Sequence, residues 1–324
     1  MQKIQIGIVG HGNIGKGAVK AIAATPDMEL KAIFTRRNPE IIASTITDIA
    51  VLPISAAEKM TDEIDVMLLC GGSATDLPEQ GPFFASMFNT VDSYDNHTNI
   101  TSYMAAIDAA AKNNTAVIAS GWDPGTFSMM RVIFESTIPD GENYTFWGTG
   151  VSQGHSDAIR QIDGVKYAIQ YTIPIESAVK AVRSGKRPKF ETKDKHLRQC
   201  YVVAEPDASK AEIEEKIKKM PHYFIDYETT INFIDANEFI LEHSRMPHGG
   251  MVLRSGNTGA NTHIMEFSIK LDSNPEFTAS IMTAYARAAY RMSREGMFGA
   301  KTVFDIPLSY LSPKDRDSLI KELL

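Results

Sequence analysis

The chain has 324 residues, enough for two domains, and its 43% hydrophobic and 23% charged residues are the ordinary mixture of a soluble globular protein with two cores. Thirty-three Lys and Arg against 40 Asp and Glu leave a net charge of −7, which argues against a nucleic-acid partner. No apolar run reaches the roughly 18 residues of a membrane span, and two cysteines, Cys70 and Cys200, form no disulfide framework.

The opening MQKIQIGIVG turns at once into a strand and a glycine loop, without the apolar stretch and cleavage site of a signal peptide; a cytoplasmic protein is expected. The first strand, Lys3–Val9, leads into GHGNIG, Gly10 to Gly15. In such a loop Gly10 makes the tight turn, Gly12 lets the backbone approach a pyrophosphate, and Gly15 lets the helix Gly15–Ala24 pack on the sheet. The helix start offers N–H groups and a favourable dipole to phosphates, so His11, Asn13 and Ile14 join the candidate cofactor residues. The second strand, Leu30–Phe34, ends in Thr35, Arg36 and Arg37. An acidic residue there would grip the ribose hydroxyls of NAD; two guanidiniums instead attract a 2′-phosphate, and the expected cofactor is NADP. A solvated basic loop is the plain alternative.

The strand Asp65–Leu69 ends in Cys70, Gly71, Gly72, Ser73 and Thr75, small residues at a carboxyl end where open α/β sheets bind ligands. Cys70 itself suits a small buried position better than catalysis. After the helix Pro82–Phe88, the strand Thr90–Ser93 runs into Asp92, Ser93, Tyr94 and Asp95. Asp92 suits an Asx-type turn before the helix Ile100–Lys112 as well as it suits a ligand; Asp95, further into the loop, is the better ligand candidate. The strand Ala116–Ser120 is followed by GWDPG, with Trp122, Asp123, Pro124 and Gly125 on another strand-end rim. There Trp122 fits interface packing, and Asp123 beside it can bind an ammonium group.

After about residue 143 strand-like runs dominate: Tyr167–Ile173, Gln199–Ala204, Tyr223–Phe233, Gly250–Leu253 and His263–Leu271. FWGTGVSQGHSDAIR places Trp147, Gln153, Gly154 and His155 in a glycine-rich turn, suited to a ligand or to a bulge. Arg198 lies in KHLRQC and His248 in MPHGG. No HExxH, CxxC or GxSxG occurs, so neither a metal site nor a serine hydrolase is expected. Helices are expected over Lys210–Met220 and after Asn274, which can cap its helix while Pro275 suits the first turn. The closing SPKDRDSLIKELL is amphipathic. The expected fold is α/β: a Rossmann-type dinucleotide-binding domain over 1–120, to which the segment from about 302 to 324 returns, and an α+β domain over 121–301 built on a mixed sheet.

GHGNIG, FTRR, CGGSATD, TVDSYDNH, GWDPGTFS, FWGTGVSQGHSDAIRQIDGV, MPHGG and LDSNPEFTAS together resemble the meso-diaminopimelate D-dehydrogenase family of bacterial lysine biosynthesis. The resemblance spans nearly the whole chain, and GWDPG, SQGHSDA and MPHGG are its specific parts. It implies NADP-dependent oxidative deamination at the D-centre of meso-2,6-diaminopimelate, giving L-2-amino-6-oxopimelate, ammonia and NADPH, by a homodimer joined through the second domain. It places substrate on Asp95, Asp123, Trp147, Gln153, Gly154, Thr172, Arg198, His248 and Asn274. The QGHSDA form resembles the strict, narrow-specificity subtype. A zwitterionic diamino diacid needs both signs of charge: Asp95 and Asp123 are the candidates for the reacting amino group and for proton removal, and Arg198, Thr172 and His248 for a carboxylate, with Asn274 adding a hydrogen bond. The rivals are another two-domain NADP-dependent dehydrogenase of a small polar substrate and a non-catalytic NADP-binding regulator. A sugar oxidoreductase would carry a Lys-Pro signature after the fifth strand, where DNH stands; a regulator would not need Arg198, His248 and Asn274.

Overall fold

The computed structural model describes residues 3–46, 48–221 and 223–324. In chain order the elements are β1 (Ile4–Val9), α1 (Asn13–Ala23), β2 (Met28–Thr35), α2 (Pro39–Ala43), β3 (Ala50–Pro53), β4 (Val66–Leu69), α3 (Leu77–Ala85), β5 (Asn89–Asp92), α4 (Ile100–Ala110), β6 (Thr115–Val117) and α5 (Thr126–Thr137). Next come β7 (Asp140–Trp147), β8 (Gly150–Val151), α6 (Gln153–Arg160), β9 (Val165–Pro174), α7 (Glu176–Arg183), β10 (His196–Ala204), α8 (Lys210–Lys218), β11 (Thr229–Phe233), α9 (Ala236–His243), β12 (His248–Thr258) and β13 (Asn261–Leu271). The chain ends with α10 (Asn274–Arg294), β14 (Gly299–Lys301), α11 (Leu308–Leu311) and α12 (Arg316–Leu323). None of the described helices is long and apolar enough to cross a membrane.

Two compact units result: one comprises the chain up to Met129 together with Pro275–Leu324, the other Met130–Asn274. The first is built on a seven-stranded sheet in the order β14-β6-β5-β4-β1-β2-β3, with every pairing parallel. Its 3-2-1-4-5-6 core is the dinucleotide-binding order, with the direction of winding reversing between β1 and β4. Parallel strands are covered on both faces, hence the unbroken apolar runs of β1 and β4. One face buries Ile4, Ile6 and Ile8 against α1 and α10; the other buries Val9, Phe34 and Leu69 against α3 and α4. The helix α10 supplies Ala279, Met282, Tyr285, Ala286 and Ala289 to the first of these cores. For that reason the second unit stops at Asn274, short of the 301 expected from sequence, and starts nine residues later than the expected 121.

The second unit contains the mixed sheet expected, in the order β11-β10-β9-β8, with β10–β11 parallel and β9–β10 and β8–β9 antiparallel. Beside it is a second, three-stranded antiparallel sheet, β13-β12-β7, not foreseen as separate. The strand expected over Tyr223–Phe233 begins only at Thr229, because Phe224–Tyr227 close a hydrogen-bonded turn. The glycine-rich turn expected around Gln153 is instead the start of α6: Ser156 donates to the Ser152 carbonyl and Ile159 packs in the core, which fixes a helical period.

Candidate active site

The cofactor loop has the geometry its glycines require. Gly10 has a φ of +93°, a left-handed conformation that favours glycine, and its N–H donates to the Phe34 carbonyl at 2.8 Å. A Cβ on Gly15 would lie 2.2 Å from the Gly10 carbonyl oxygen, so any side chain there would part α1 from β1. Nothing of the protein lies within 4 Å of a Cβ position on Gly12, the residue that precedes α1 and offers it no side-chain cap. The loop lines a cavity of about 380 Å³ together with Thr35, Arg36, Arg37, Cys70, Gly71 and Gly72. A dinucleotide phosphate fits this cradle: open glycine backbone, a helix N-terminus without acidic residues in its first turn, and two guanidiniums.

The two arginines are not equivalent. Arg37 donates to the His11 carbonyl at 2.7 Å, and its own N–H goes to the Thr35 hydroxyl at 3.0 Å. Arg36 pairs with Asp76 at 2.7 Å across the cavity, and Asp76 in turn accepts from the Gly72 N–H at 3.0 Å. His11 is kept neutral by burial and by the nearby Lys16 and Arg37, which lower its pKa. Burial pushes the Cys70 thiol to about 12, so no thiolate is available there.

At the end of β5, Asp92 is 1% exposed, and its carboxylate accepts from the Tyr94 N–H at 2.9 Å, the Ala119 N–H at 3.1 Å and the Tyr103 hydroxyl at 2.7 Å. Its side chain therefore builds the turn and has no face for a ligand. Tyr94 is likewise a core residue, stacked on Tyr103 with ring centroids 4.0 Å apart. Asp95 is exposed, with its N–H held by the Ser73 hydroxyl at 3.2 Å, a link between the loops after β4 and β5. In GWDPG, Gly125 has a φ of +130°, and a Cβ there would collide with the Gly121 carbonyl oxygen at 1.7 Å. That tight loop presents a half-buried Asp123, while Trp122 is buried edge-on to Phe127.

In the second unit, the register of β8, β9 and β10 places Gly150, Thr172 and Arg198 side by side. Arg198 is 7% exposed; it donates to the Thr172 hydroxyl and lies 3.9 Å over the Tyr227 ring. Among the described residues its Nε has no hydrogen-bond partner and no carboxylate pairs with it, and burial lowers its pKa. Trp147, at the end of β7, is 37% exposed; its backbone N–H donates to His196 Nε2 at 2.8 Å and its ring stacks on that imidazole. His248 begins β12 and packs on Gly150, where a Cβ would meet the His248 Cα at 2.5 Å. Gln153 and Gly154 are exposed at the start of α6, and nothing of the protein lies within 4 Å of a Cβ position on Gly154. The Gln153 amide contacts the Met246 sulfur at 3.1 Å, and the Met246 carbonyl accepts from the Asn274 N–H at 2.9 Å. Thr172, Arg198, Trp147 and His248 are thereby connected through neighbouring strands, as are Gln153 and Asn274 through Met246.

The Diaminopimelic acid dehydrogenase C-terminal domain family matches residues 121–273. Meso-diaminopimelate D-dehydrogenase of Ureibacillus thermosphaericus is 56% identical over 327 residues, covering all of both chains. The chain belongs to the meso-diaminopimelate D-dehydrogenase family. Within it, the solved C. glutamicum DAP dehydrogenase in complex with DAP is 45% identical, with a TM-score of 0.93 and full coverage of both chains. An engineered D-amino acid dehydrogenase bound to NADP+ is 43% identical, with a TM-score of 0.88 and the same coverage.

Several residues that shape this family member's candidate site had no signal in sequence. Burial holds His196 neutral, with its pKa down at about 3, so its Nε2 is free to accept the Trp147 N–H. Tyr227 flanks Arg198 from a loop read as strand. Gly150 looked like one glycine among several. Only pairing across strands distant in sequence gives each its place; the single local clue was HLR, which alternates two buried side chains around Leu197.

Proposed function

We propose that this chain catalyses the NADP-dependent oxidative deamination of meso-2,6-diaminopimelate at its D-centre, yielding L-2-amino-6-oxopimelate, ammonia and NADPH, and that the reverse reaction serves lysine biosynthesis. The observation that carries the assignment is Arg198: a buried guanidinium without a carboxylate partner among the described residues. A buried charge is costly unless paired, and a substrate carboxylate supplies the missing partner to a fork already oriented by Thr172 and Tyr227. The relatives named for meso-diaminopimelate, the complex with DAP and the complex with NADP+ support the same substrate and cofactor.

NADP, when bound, supplies the acceptor for the hydride that leaves the D-configured Cα. The phosphates go to the Gly10–Gly15 loop and the 2′-phosphate to Thr35, Arg36 and Arg37. Asp95 and Asp123 take the reacting ammonium group, and one of them removes a proton, directly or through water, so that the nitrogen lone pair can form the imine as hydride departs. Water then adds to the imine carbon and ammonia leaves. Arg198, Thr172 and His248 hold a carboxylate, Asn274 adds a hydrogen bond, and Trp147, Gln153 and Gly154 bound the rest of the molecule. Much of the protein's contribution is positioning, on the order of several kcal/mol. We place the protein in the cytoplasm as a homodimer joined through its second domain, on family likeness. NADPH formation with the meso isomer, and none with the L,L isomer or with NAD, is the expected result; no turnover of the meso form overturns the assignment.

A further inference from the structure

Among the described residues of the first unit, Asp92 is the one buried carboxylate, and the chemistry above does not use it. Its hydrogen bonds join three segments. One oxygen accepts both the Tyr94 N–H, at the root of the loop bearing Asp95, and the Ala119 N–H, at the root of the loop bearing Asp123. The other accepts the Tyr103 hydroxyl from α4, whose ring stacks on Tyr94. The Asp92 carbonyl takes a further pair of donors, the Ser120 N–H at 2.9 Å and hydroxyl at 2.8 Å. Ala119, moreover, has a φ of +53°, a left-handed conformation that alanine seldom adopts. A charged acceptor for its N–H is the interaction that offsets this local cost. From Asp92 the chain runs three residues to Asp95, and from Ala119 four residues to Asp123. Beyond the two paired positions of β5 and β6, which end at Val91 and Val117, the two loops are therefore tied through Asp92, by its carbonyl to Ser120 and by its carboxylate to Tyr94 and Ala119.

We propose that Asp92 is a positioning residue for the reaction: through its shared oxygen it sets the separation of the Asp95 and Asp123 carboxylates. This rests on the role given to those two residues above. A paired general base and ammonium ligand tolerate little displacement, because misplacement of about 1 Å can cost a hundredfold in rate.

The test is Asp92→Asn with Tyr103→Phe as its milder companion, in the full chain. An asparagine oxygen can still accept the two N–H groups, and the Tyr103 hydroxyl can turn to accept from the amide, so the fold is retained with weaker, neutral hydrogen bonds. Three quantities are read: steady-state kcat and KM with meso-diaminopimelate, NADPH affinity by fluorescence, and amide hydrogen exchange of residues 93–99, 118–126 and 10–15. For Asp92→Asn we expect kcat to fall about tenfold or more, NADPH affinity to change little, and exchange to quicken in both loops together but not in the 10–15 loop. Tyr103→Phe should move the same quantities less. Unchanged exchange, or quickening in one loop alone, overturns the brace; so does unchanged kcat in an active enzyme. NADPH affinity lost in step with kcat would make Asp92 a cofactor-site residue and also overturn it. Wild-type enzyme inert toward meso-diaminopimelate would instead defeat the assigned reaction, and the exchange data would still decide whether Asp92 couples the two loops.

Discussion

Arg198 and the Arg36–Arg37 pair show how one residue type does different work according to its surroundings. Arg198 is buried without a counter-charge among the described residues, so replacing it with a neutral side chain of similar length removes a strain of the ligand-free protein as well as the proposed ligand contact. Arg198→Met is expected to leave the melting temperature unchanged or raised, while KM for the substrate climbs by about two orders of magnitude; a calorimetric scan and steady-state kinetics check both halves. Arg36 and Arg37 part company for a related reason. Arg37 also fastens the glycine loop through the His11 carbonyl, so Arg37→Ala should weaken NADH as well as NADPH, with the larger loss for NADPH. Arg36→Ala leaves the loop intact but uncovers the Asp76 carboxylate, so it should penalise NADPH selectively, by about 1–3 kcal/mol. Adding Asp76→Asn to Arg36→Ala should recover part of that loss in a fluorescence titration.

Among the elements, those whose signal is local were legible. The strand–glycine–helix opening and the parallel strands β2, β4, β5 and β6 were readable because a continuous apolar run or a glycine spacing lies within ten residues. Elements whose signal is shared with distant chain were not. The short β3 and the separateness of the β7-β12-β13 sheet depend on partners remote in sequence. In the candidate site, Arg198 and His248 were proposed from motifs, whereas His196, which holds the Trp147 backbone N–H, and Tyr227, which flanks Arg198, leave no motif of their own. Gly17 is another such case. A Cβ there would stand 2.9 Å from the Glu276 Cα and 3.0 Å from the Ala279 Cβ, backbone and first-turn atoms of α10 that cannot swing aside. Gly17→Ala should therefore cost the first unit about 1–3 kcal/mol in urea unfolding, although helix propensity alone favours alanine.

For the molecule as a whole, the burial of Asp92 predicts a pH dependence. Its pKa is raised from an ordinary 3.8 to about 6, mainly by burial and against the pull of its donors from Tyr103, Tyr94 and Ala119. The native state thus keeps a proton that the unfolded chain has released, so this contribution is fully present below pH 4 and is lost as pH rises through about 6. The shift from 3.8 to about 6 corresponds to about 3 kcal/mol. Asp92→Asn should flatten the stability profile across that window, measured by denaturant titration at pH 4 and pH 7.

The division of the chain also governs how it is made. The second unit is one uninterrupted stretch, Met130–Asn274, whereas the first is split around it and takes α10 and the edge strand β14 from beyond residue 274. A ribosome delivers residues from the N-terminus onward, and domains close as their sequence emerges. Here the usual order is inverted: the middle of the chain can complete its folding first, while the nucleotide-binding sheet, begun earliest, waits for Ala279, Met282 and Ala286 to cover β1. During translation that half-covered sheet is the aggregation-prone species, and chaperone dependence during synthesis should be concentrated on the interval between the emergence of β6 and of α10.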